Sequence, residues 1–273
     1  MQNILMQPDI LMKKKKGFTF LKMKHLYNNI YLCNQEDKQF IHIIESDIFI
    51  EVKKDGYIPK SGLLLSDYLL LCDLKNKSVL DIGTGETGFI ANYSKFLGAK
   101  DVYGVDIDPE IIKHAQSAYL KDIQKINWHV SNIFSFFNQN LKFDFIVSNP
   151  PQMPMEVAGN THDYGGEDGR IIIEKIIKNS KNFTHKDSKL IILLFDFLGV
   201  DISYNNSLSL FKFASNINMS SKIIKSYKNN IRKGGQTEKN INWIRKKFPK
   251  YKFKMDENNN LYFHSLIVEF NNK

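Results

Sequence analysis

The feature that most constrains the fold of this chain is a set of three glycines that interrupts a hydrophobic segment. Residues 79–89 read Val-Leu-Asp-Ile-Gly-Thr-Gly-Glu-Thr-Gly-Phe, with glycine at positions 83, 85 and 88. The apolar residues before the glycines predict a buried strand, and those after them predict the start of a helix. A strand, a glycine turn and a helix in this order are typical of ligand-binding turns in α/β folds.

The same alternation of strands and helices continues along the chain and predicts a mostly parallel sheet with both faces covered. Strands are predicted near 78–83, 101–106, 126–130, 143–148, 189–195, 220–227 and 261–270. Helices are predicted near 63–74, 86–97, 108–120, 167–181, 205–216 and 237–247. An Asp-Glu-Asn-Asn-Asn turn between two strand-like runs in residues 251–270 predicts an antiparallel hairpin at the edge of the sheet. We expect residues 1–54 to be an N-terminal extension with a short hairpin at 40–52, and residues 55–273 to be the main domain.

Composition narrows the class of protein further. Hydrophobic residues make up 42% of the chain, yet no run is long and apolar enough for a membrane span. The N-terminus lacks the order of basic, apolar and small residues that defines a signal peptide. Two cysteines, neither in a Cys-x-x-Cys pair, indicate a reducing cytoplasmic setting. The sequence contains no cluster of His and Cys residues that would suggest a metal site. It also contains no feature that indicates the oligomeric state.

The net charge of +9 is concentrated near the C-terminus, where residues 201–273 contain fourteen Lys or Arg and five Asp or Glu. One interpretation is a surface that faces nucleic acid or the ribosome. The other is compositional, because an AT-rich coding sequence enriches Lys, Asn and Ile without selection for binding. We favour the compositional interpretation and keep nucleic acid as an alternative partner.

The glycines fit the G-x-G-x-x-G spacing of nucleoside-binding turns. Asp106, at the end of the second predicted strand, can accept hydrogen bonds from both ribose hydroxyls, as NAD or S-adenosylmethionine would require. Asp81 favours S-adenosylmethionine, because a carboxylate this close would repel a pyrophosphate but suits amino and sulfonium cations. Asn132 follows the third strand, where its carbonyl oxygen could accept from the adenine amine, and neighbouring Ile133 could cover the ring.

A second motif, Asn149-Pro150-Pro151-Gln152, follows directly after the predicted strand 143–148. Two prolines fix φ and remove two backbone donors, so the turn is stiff. It presents the Asn149 side chain and the Pro150 carbonyl as acceptors for the two hydrogens of a planar NH2 group. Such a grip would turn the nitrogen lone pair toward an incoming methyl group.

These residues resemble the class I S-adenosylmethionine-dependent methyltransferases, and more narrowly the Asn-Pro-Pro branch with the release-factor glutamine (HemK-type) enzymes. The matching stretches are Asp81-Ile82-Gly83-Thr84-Gly85, Asp106-Ile107-Asp108, Asn149-Pro150-Pro151 and Gly165-Gly166-Glu167-Asp168-Gly169. The resemblance implies a Rossmann-like fold and a methyltransferase domain over residues 55–273. The cofactor-binding candidates are Asp81, Gly83, Thr84, Gly85, Asp106, Ile107, Asn132, Ile133 and Asn149; the catalytic candidates are Asn149, Pro150, Pro151 and Gln152.

Two positions differ from the family pattern. Gln152 stands where the family usually has an aromatic residue that stacks on the acceptor, and Asn132 stands where an acid is expected. The leading hypothesis is an S-adenosylmethionine-dependent N-methyltransferase that acts on an amide or amine of a protein or small molecule. Two alternatives stay open, a methyltransferase for the exocyclic amine of an RNA or DNA base, and a non-catalytic nucleoside-binding module.

Overall fold

A computed structural model describes residues 14–15, 18–19, 22–35, 37–44, 46, 48–53, 58, 60–118, 125–159, 162–204 and 207–273. Among these residues, six strands precede the first helix: β1 (Lys14–Lys15), β2 (Phe18–Thr19), β3 (Lys22–Tyr27), β4 (Ile30–Gln35), β5 (Lys38–Ile43) and β6 (Phe49–Val52). β1 pairs with β2, and β3 to β6 form a four-stranded antiparallel sheet in chain order. The predicted boundary after residue 54 lies outside the described residues.

The predicted N-terminal hairpin is present as β5 and β6, but it is only half of this four-stranded sheet. No periodic pattern marks β4 in the sequence, because both faces of this strand are covered. Ile30 packs in a hydrophobic cluster that includes residues of the first two helices of the chain. Cys33 packs in a separate cluster with Phe40 and Phe49. A strand that is apolar on both faces lacks the alternation by which a half-exposed strand is recognised.

The central sheet contains the remaining strands. They are β7 (Ser78–Ile82), β8 (Asp101–Asp106), β9 (Asn127–Val130), β10 (Phe143–Ser148), β11 (Thr184–Phe195), β12 (Met219–Asn230), β13 (Lys254–Met255) and β14 (Leu261–Asn272). The order is β12-β14-β11-β10-β7-β8-β9, and β13 pairs with β14. Strands β9, β8, β7, β10 and β11 pair in parallel, and β14, which lies between β11 and β12, is antiparallel to both. The predicted seven-stranded, mostly parallel sheet with an antiparallel C-terminal edge is confirmed, and β13 adds a two-residue eighth strand.

Seven α-helices lie in the described residues, and several begin later than predicted. They are α1 (Lys60–Leu69), α2 (Phe89–Phe96), α3 (Pro109–Ser117), α4 (Ile171–Ser180), α5 (Leu210–Asn216), α6 (Gln236–Lys239) and α7 (Ile241–Lys247). Short 3-10 helices occupy Lys181–Phe183 and Asp196–Leu198. α4 starts at Ile171 because Gly166 and Gly169, with φ of 97° and 73°, form a loop before it. α5 starts at Leu210 because the Ser209 hydroxyl caps it.

Both faces of the central sheet are covered, so the ends of its strands are the parts that a ligand can approach. Leu80 and Ile82 of β7 face a hydrophobic core that includes residues of α4 and α5. Val79 faces a second core formed with α1, α2 and the N-terminal sheet. Successive side chains of β7 therefore point to opposite faces of the sheet, and both faces are buried.

Candidate active site

Two strand ends lie side by side at the carboxyl edge of the parallel part of the sheet. Ile82, the last residue of β7, is paired with Ser148, the last residue of β10. The Ser148 hydroxyl also donates a hydrogen bond of 2.8 Å to the Ile82 carbonyl oxygen. Because adjacent strands are about 4.8 Å apart, the glycine turn and the Asn-Pro-Pro elbow begin next to each other.

The glycine turn leaves open space above its backbone. Gly83 and Gly85 have φ of 71° and 67°, and a Cβ added at either position would meet no atom within 4 Å. The N–H groups of Gly83 and Thr84 donate to the Val105 carbonyl at 2.8 and 3.0 Å. The turn is therefore fixed on the end of β8 while a ligand can approach its backbone closely.

Asp81 acts on this turn through hydrogen bonds and is itself buried. Its carboxylate accepts a 2.6 Å hydrogen bond from the Thr84 hydroxyl and a 3.2 Å bond from the Ala91 N–H. Burial raises the pKa of Asp81 to about 7, and the nearby Asp106 adds to the rise. Asp81 therefore bonds to one residue of the turn and to one residue of α2.

Asp106 lies beside the turn, as the sequence predicts. Its carboxylate accepts from the Gly85 N–H at 3.3 Å and from the Asp108 N–H at 3.2 Å. Burial raises the pKa of the Asp106 carboxyl, and hydrogen bonds from these backbone groups oppose the rise. The next residue, Ile107, is 64% exposed, which gives the site an apolar side chain at its rim.

Asn132 and Ile133 follow the neighbouring strand β9. The Ser131 N–H donates to the Asp106 carbonyl at 2.8 Å, so this loop begins beside the Asp106 backbone. Asn132 is exposed, and both residues line an open cavity of about 440 Å³ that reaches Lys175 on α4. Ile133 has a φ of 59°, which is rare for a β-branched residue and which nothing in the sequence signalled.

The third glycine of the motif is explained by packing. A Cβ on Gly88 would approach Trp128 Cη2 to 2.2 Å, and one on Gly104 would approach Trp128 Cζ3 to 2.3 Å. The Trp128 ring of β9 therefore lies against the backbone of both the turn and β8. Gly88 serves the packing of this ring, whereas Gly83 and Gly85 border open space.

Gln152, the last residue of the elbow motif, braces the elbow against β11. Gln152 is only 3% exposed, its Nε2 donates to the Leu193 carbonyl at 2.9 Å, and its Oε1 accepts from the Phe195 N–H at 2.9 Å. The amide thus continues the pairing of β10 with β11 beyond the end of the ladder. Both ends of the amide of Gln152, a catalytic candidate from the sequence, are bonded to β11.

The same Gln152 nitrogen lies near both predicted acceptors. Its distances are 3.5 Å to Asn149 Oδ1 and 3.4 Å to the Pro150 carbonyl oxygen. These contacts are long, and each oxygen has a second lone pair. The two oxygens nevertheless converge on one amide nitrogen. Asn149 and Pro151 are partly exposed, and Pro150 is buried.

A glycine-rich loop holds the elbow from the other side, which explains the Gly-Gly-Glu-Asp-Gly stretch. A Cβ on Gly165 would lie 2.6 Å from Gln152 Cα, and one on Gly169 would lie 2.5 Å from the Gln152 carbonyl oxygen. Residue Met153 pairs with this loop through backbone bonds to Asp163 and Gly165 of 2.8 and 3.1 Å. Glycine is required here for the close approach of two backbones.

Sequence reasoning missed Arg170, which follows this loop directly. Its side chain is 3% exposed, and Nη2 lies 2.8 Å from Glu174 Oε1. In the described part of the chain, its Nε and Nη1 atoms have no hydrogen-bond partner. A buried guanidinium with unused donors next to the elbow could bind a carbonyl or carboxylate oxygen. The only available signal was its place after the glycine-rich motif.

The described ranges contain neither a metal-binding cluster nor a membrane-spanning helix. There, no group of three His, Cys, Asp or Glu residues is placed to hold a metal ion. Also within those ranges, no helix has the length and apolar character needed to cross a membrane.

Known proteins with similar sequences identify the class. Residues 73–196 match the family described as a methyltransferase domain. A Methanocaldococcus jannaschii protein with the provisional name protein N5-glutamine methyltransferase is 37% identical over 161 residues, covering 55% of this chain and 78% of the relative. The release factor glutamine methyltransferase of Fusobacterium nucleatum is 34% identical over 83 residues, covering 30% of this chain and 23% of that enzyme. The chain therefore belongs to the methyltransferase family, whose class I members use S-adenosylmethionine as methyl donor.

Solved structures support the same fold at low sequence identity. A methyltransferase from Pyrococcus furiosus has a TM-score of 0.51 and 19% identity, covering 82% of this chain and 90% of that one. The YcgJ protein of Bacillus subtilis has a TM-score of 0.52 and 13% identity, covering 78% and 98%. Together with the sheet order, they confirm the predicted Rossmann-like architecture.

Proposed function

We propose that this protein is an S-adenosylmethionine-dependent N-methyltransferase that modifies the side-chain amide of a protein glutamine. The observation that carries the proposal is the pairing of Ile82 with Ser148, which places the glycine turn and the elbow at adjacent strand ends. The names of the relatives support glutamine as the acceptor. The match to the Fusobacterium enzyme covers a minority of its length, so the substrate of this chain is inferred from its own site as well.

The residues at the glycine turn fit the proposed cofactor. Gly83 and Gly85 form a cradle that any Cβ would fill, and the space beside them is open. Asp106 offers carboxylate oxygens for ribose hydroxyls, and exposed Ile107 offers an apolar surface for a base. Asn132 and Ile133 would contribute from the next strand end, and Asn149 from the elbow. When bound, S-adenosylmethionine supplies an electrophilic methyl group.

Asp81 and Thr84 would support the cofactor indirectly. Asp81 holds the Thr84 hydroxyl and the Ala91 amide, so it fixes both the turn and the start of α2. A pKa near neutrality means that the buried Asp81 carboxyl readily changes its charge. A cationic ligand nearby would favour the ionised form. Asp81 is therefore a positioning residue whose charge responds to what lies above the turn.

On the acceptor side, Asn149 and Pro150 would do the chemistry. Asn149 Oδ1 and the Pro150 carbonyl oxygen would accept the two N–H groups of a planar amide, which orients its nitrogen toward the glycine turn. The same two oxygens would stabilise positive charge on that nitrogen until one of its protons leaves to solvent. Pro151 and Gln152 would keep this pair rigid, Pro151 through its fixed φ and Gln152 through its bonds to β11.

The structure favours an amide over a nucleic-acid base as acceptor. A flipped base is usually held by stacking on an aromatic side chain. Gln152 occupies the position of that platform, and it is buried with its amide bonded to Leu193 and Phe195. An amide nitrogen needs only the two acceptors, and the Gln152 nitrogen itself lies within 3.5 Å of both.

Replacing Asn149 with alanine tests the proposal. Purified protein is incubated with S-adenosylmethionine and a release factor from the same genome, and peptides are examined for a methylated glutamine by mass spectrometry. The wild type should methylate a glutamine, and Asn149→Ala should lower kcat by about 10²- to 10³-fold, the usual cost of losing one such electrostatic contact. Binding of S-adenosylhomocysteine, measured by calorimetry, should change little.

Asn140→Ala is the matched control, because Asn140 is exposed in the loop before β10. It should leave turnover unchanged. Methylation that persists undiminished in Asn149→Ala would reject the role of the elbow. Tight cofactor binding without any methylated glutamine would reject the acceptor assignment.

A further inference from the structure

The C-terminal basic segment, residues 231–254, contains nine Lys or Arg residues and one acidic residue. The segment includes α6, α7 and Lys254, the first residue of β13. The sequence alone left two interpretations of this charge, selection for binding or coding bias. The structure separates them by showing where the charges lie and what surrounds them.

The basic segment is joined to the loop that braces the elbow. Trp243 Nε1 donates to the Glu167 carbonyl oxygen at 2.8 Å, and Lys247 Nζ lies 2.6 Å from Glu167 Oε2. Glu167 belongs to the loop whose glycines touch the Gln152 backbone. The basic segment is therefore attached to the loop that packs on the elbow.

A cavity of about 310 Å³ opens within this segment, lined by Arg245, Pro249, Tyr251, Lys252 and Phe253. The Tyr251 and Phe253 rings are partly exposed, and the Arg245 guanidinium lies 6.0 Å from the Phe253 ring centre. The Tyr251 hydroxyl donates to Asp196 at 2.7 Å, which fixes that ring. The cavity thus combines two held aromatic rings with two cations at its wall.

The cations of the cavity are available to a ligand. Within the described ranges, no acidic side chain lies within ion-pair distance of Arg245, Lys250 or Lys252, although such pairs occur at Lys228 and Lys247. Lys246 and Lys247 also lie 4.8 and 4.7 Å from the Trp243 ring centre. Coding bias explains the number of lysines, but it does not explain their arrangement around half-exposed rings.

We propose that the basic segment binds single-stranded nucleic acid, with a base stacked in the Tyr251–Phe253 cavity and phosphates held by Arg245 and Lys252. Interleaved aromatic and basic side chains are the usual design of sequence-tolerant single-strand binding. An acidic protein would use the cations but would gain little from the rings. The segment would anchor a nucleic acid beside the elbow without presenting a base for methylation.

The test measures binding directly and needs no methyl transfer, so it is independent of the proposed function. Fluorescence anisotropy follows labelled oligouridylate, oligothymidylate and poly-glutamate over a range of salt concentrations. Wild-type protein should bind both oligonucleotides, more weakly as salt rises. The double variant Arg245→Glu/Lys252→Glu should bind at least about tenfold more weakly, with a salt slope smaller by about two.

A matched control introduces the same change in net charge at the amino ends of the parallel strands, whereas the elbow lies at their carboxyl ends. Lys75 and Lys100 are exposed near the amino ends of β7 and β8. Lys75→Glu/Lys100→Glu should bind oligonucleotides as the wild type does. Phe253→Ala should weaken binding about fivefold or more with little change in salt slope, because it removes stacking and leaves the charges.

Three outcomes would overturn the proposal. They are no oligonucleotide binding by the wild type, equal loss in both double variants, and binding of poly-glutamate in place of oligonucleotides. Circular dichroism confirms folding; Arg245 and Lys252 are exposed, so the double variant remains informative if Phe253→Ala misfolds. Equal affinity for RNA and DNA is expected, because neither a stacked ring nor a phosphate contact reads the ribose 2′-hydroxyl.

Discussion

The glycine turn and the Asn-Pro-Pro elbow lie at neighbouring strand ends, yet they are built in opposite ways. At the turn, Gly83 and Gly85 are glycines because of their backbone conformation, and nothing lies within 4 Å of their missing side chains. At the elbow, Gly165 and Gly169 are glycines because another backbone lies within 2.6 Å of where a Cβ would be. The backbone conformation alone therefore accounts for Gly83 and Gly85, whereas the approach of the Gln152 backbone accounts for Gly165 and adds to a φ of 73° at Gly169.

This difference matches the two roles proposed for the pair. A cofactor that approaches a backbone needs space, and a left-handed glycine turn provides it with few supporting contacts. Two acceptors that grip an NH2 group need fixed positions, and Gln152, the glycine-rich loop and β11 provide them. Substitutions of the residues that brace the elbow, Gln152 and the glycines of the loop, should therefore damage stability first, and substitutions at the turn should damage ligand binding first.

The largest effect is expected from Gln152→Ala. The substitution removes the amide that bonds to the Leu193 carbonyl and the Phe195 N–H. Each backbone group that is left buried without a partner costs about 1–3 kcal/mol. We expect the free energy of unfolding to fall by about 2–5 kcal/mol in denaturant titration. The exposed control Gln139→Ala should lie within about 0.5 kcal/mol of wild type. A stable, fully active Gln152→Ala protein would show that the elbow needs no brace.

Gly165→Ala should have the next largest effect. The new methyl group would overlap Gln152 Cα and the Gly169 carbonyl oxygen, at 2.6 and 2.7 Å. Because both obstacles are backbone atoms, we expect a loss of about 1–3 kcal/mol or more in unfolding free energy. Methyl transfer should also decrease at temperatures where the protein stays folded, since the elbow must shift. Unchanged melting and turnover would contradict the close packing.

Gly83→Ala should mainly affect ligand binding. The strain of a left-handed alanine costs about 1–2 kcal/mol in stability, and the new methyl group would fill the open space above the turn. Gly234→Ala is a closely matched control, because Gly234 has φ of 74° against 71° for Gly83 and nothing within 4 Å. Calorimetry with S-adenosylhomocysteine should show weaker binding only for Gly83→Ala. Equal affinities of the two variants would place the cofactor elsewhere.

Asp81→Asn should change the pH dependence of stability. The folded pKa of Asp81, about 7, lies above its unfolded value of about 3.9. The folded protein therefore holds the proton more tightly, and this stabilisation is lost as pH rises from about 4 to 7. Between pH 6 and 7 the wild type should lose about 1 kcal/mol more than Asp81→Asn. Parallel stability curves for the two proteins would mean that Asp81 is already ionised.

Most of the fold and the location of the site could be predicted from the sequence. The strands that lead into the turn and the elbow have continuous apolar runs, and the breaks after them are signalled by glycine or proline, so local patterns were sufficient. Arg170 and the left-handed Ile133 could not be found in this way, because burial and backbone strain depend on neighbours far along the chain. The roles of the cofactor and acceptor residues stay predictions until ligands are measured.

Two elements show where local patterns failed. β4 packs apolar residues on both faces, Ile30 on one and Cys33 on the other, so no alternation marked it. The predicted helix 237–247 is divided at Asn240 into α6 and α7. Trp243 of α7 bonds to the distant Glu167, a contact that no local pattern signals.

By itself, the sequence determined the α/β alternation, the glycine turn and the stiff elbow, because these follow from φ preferences and the period of apolar residues. Only the tertiary structure decided what Gln152 does, where the basic segment lies and which glycines serve packing. Those properties depend on hydrogen-bond partners and van der Waals contacts between segments that the sequence separates by tens of residues, such as Gln152 with Phe195 and Trp243 with Glu167.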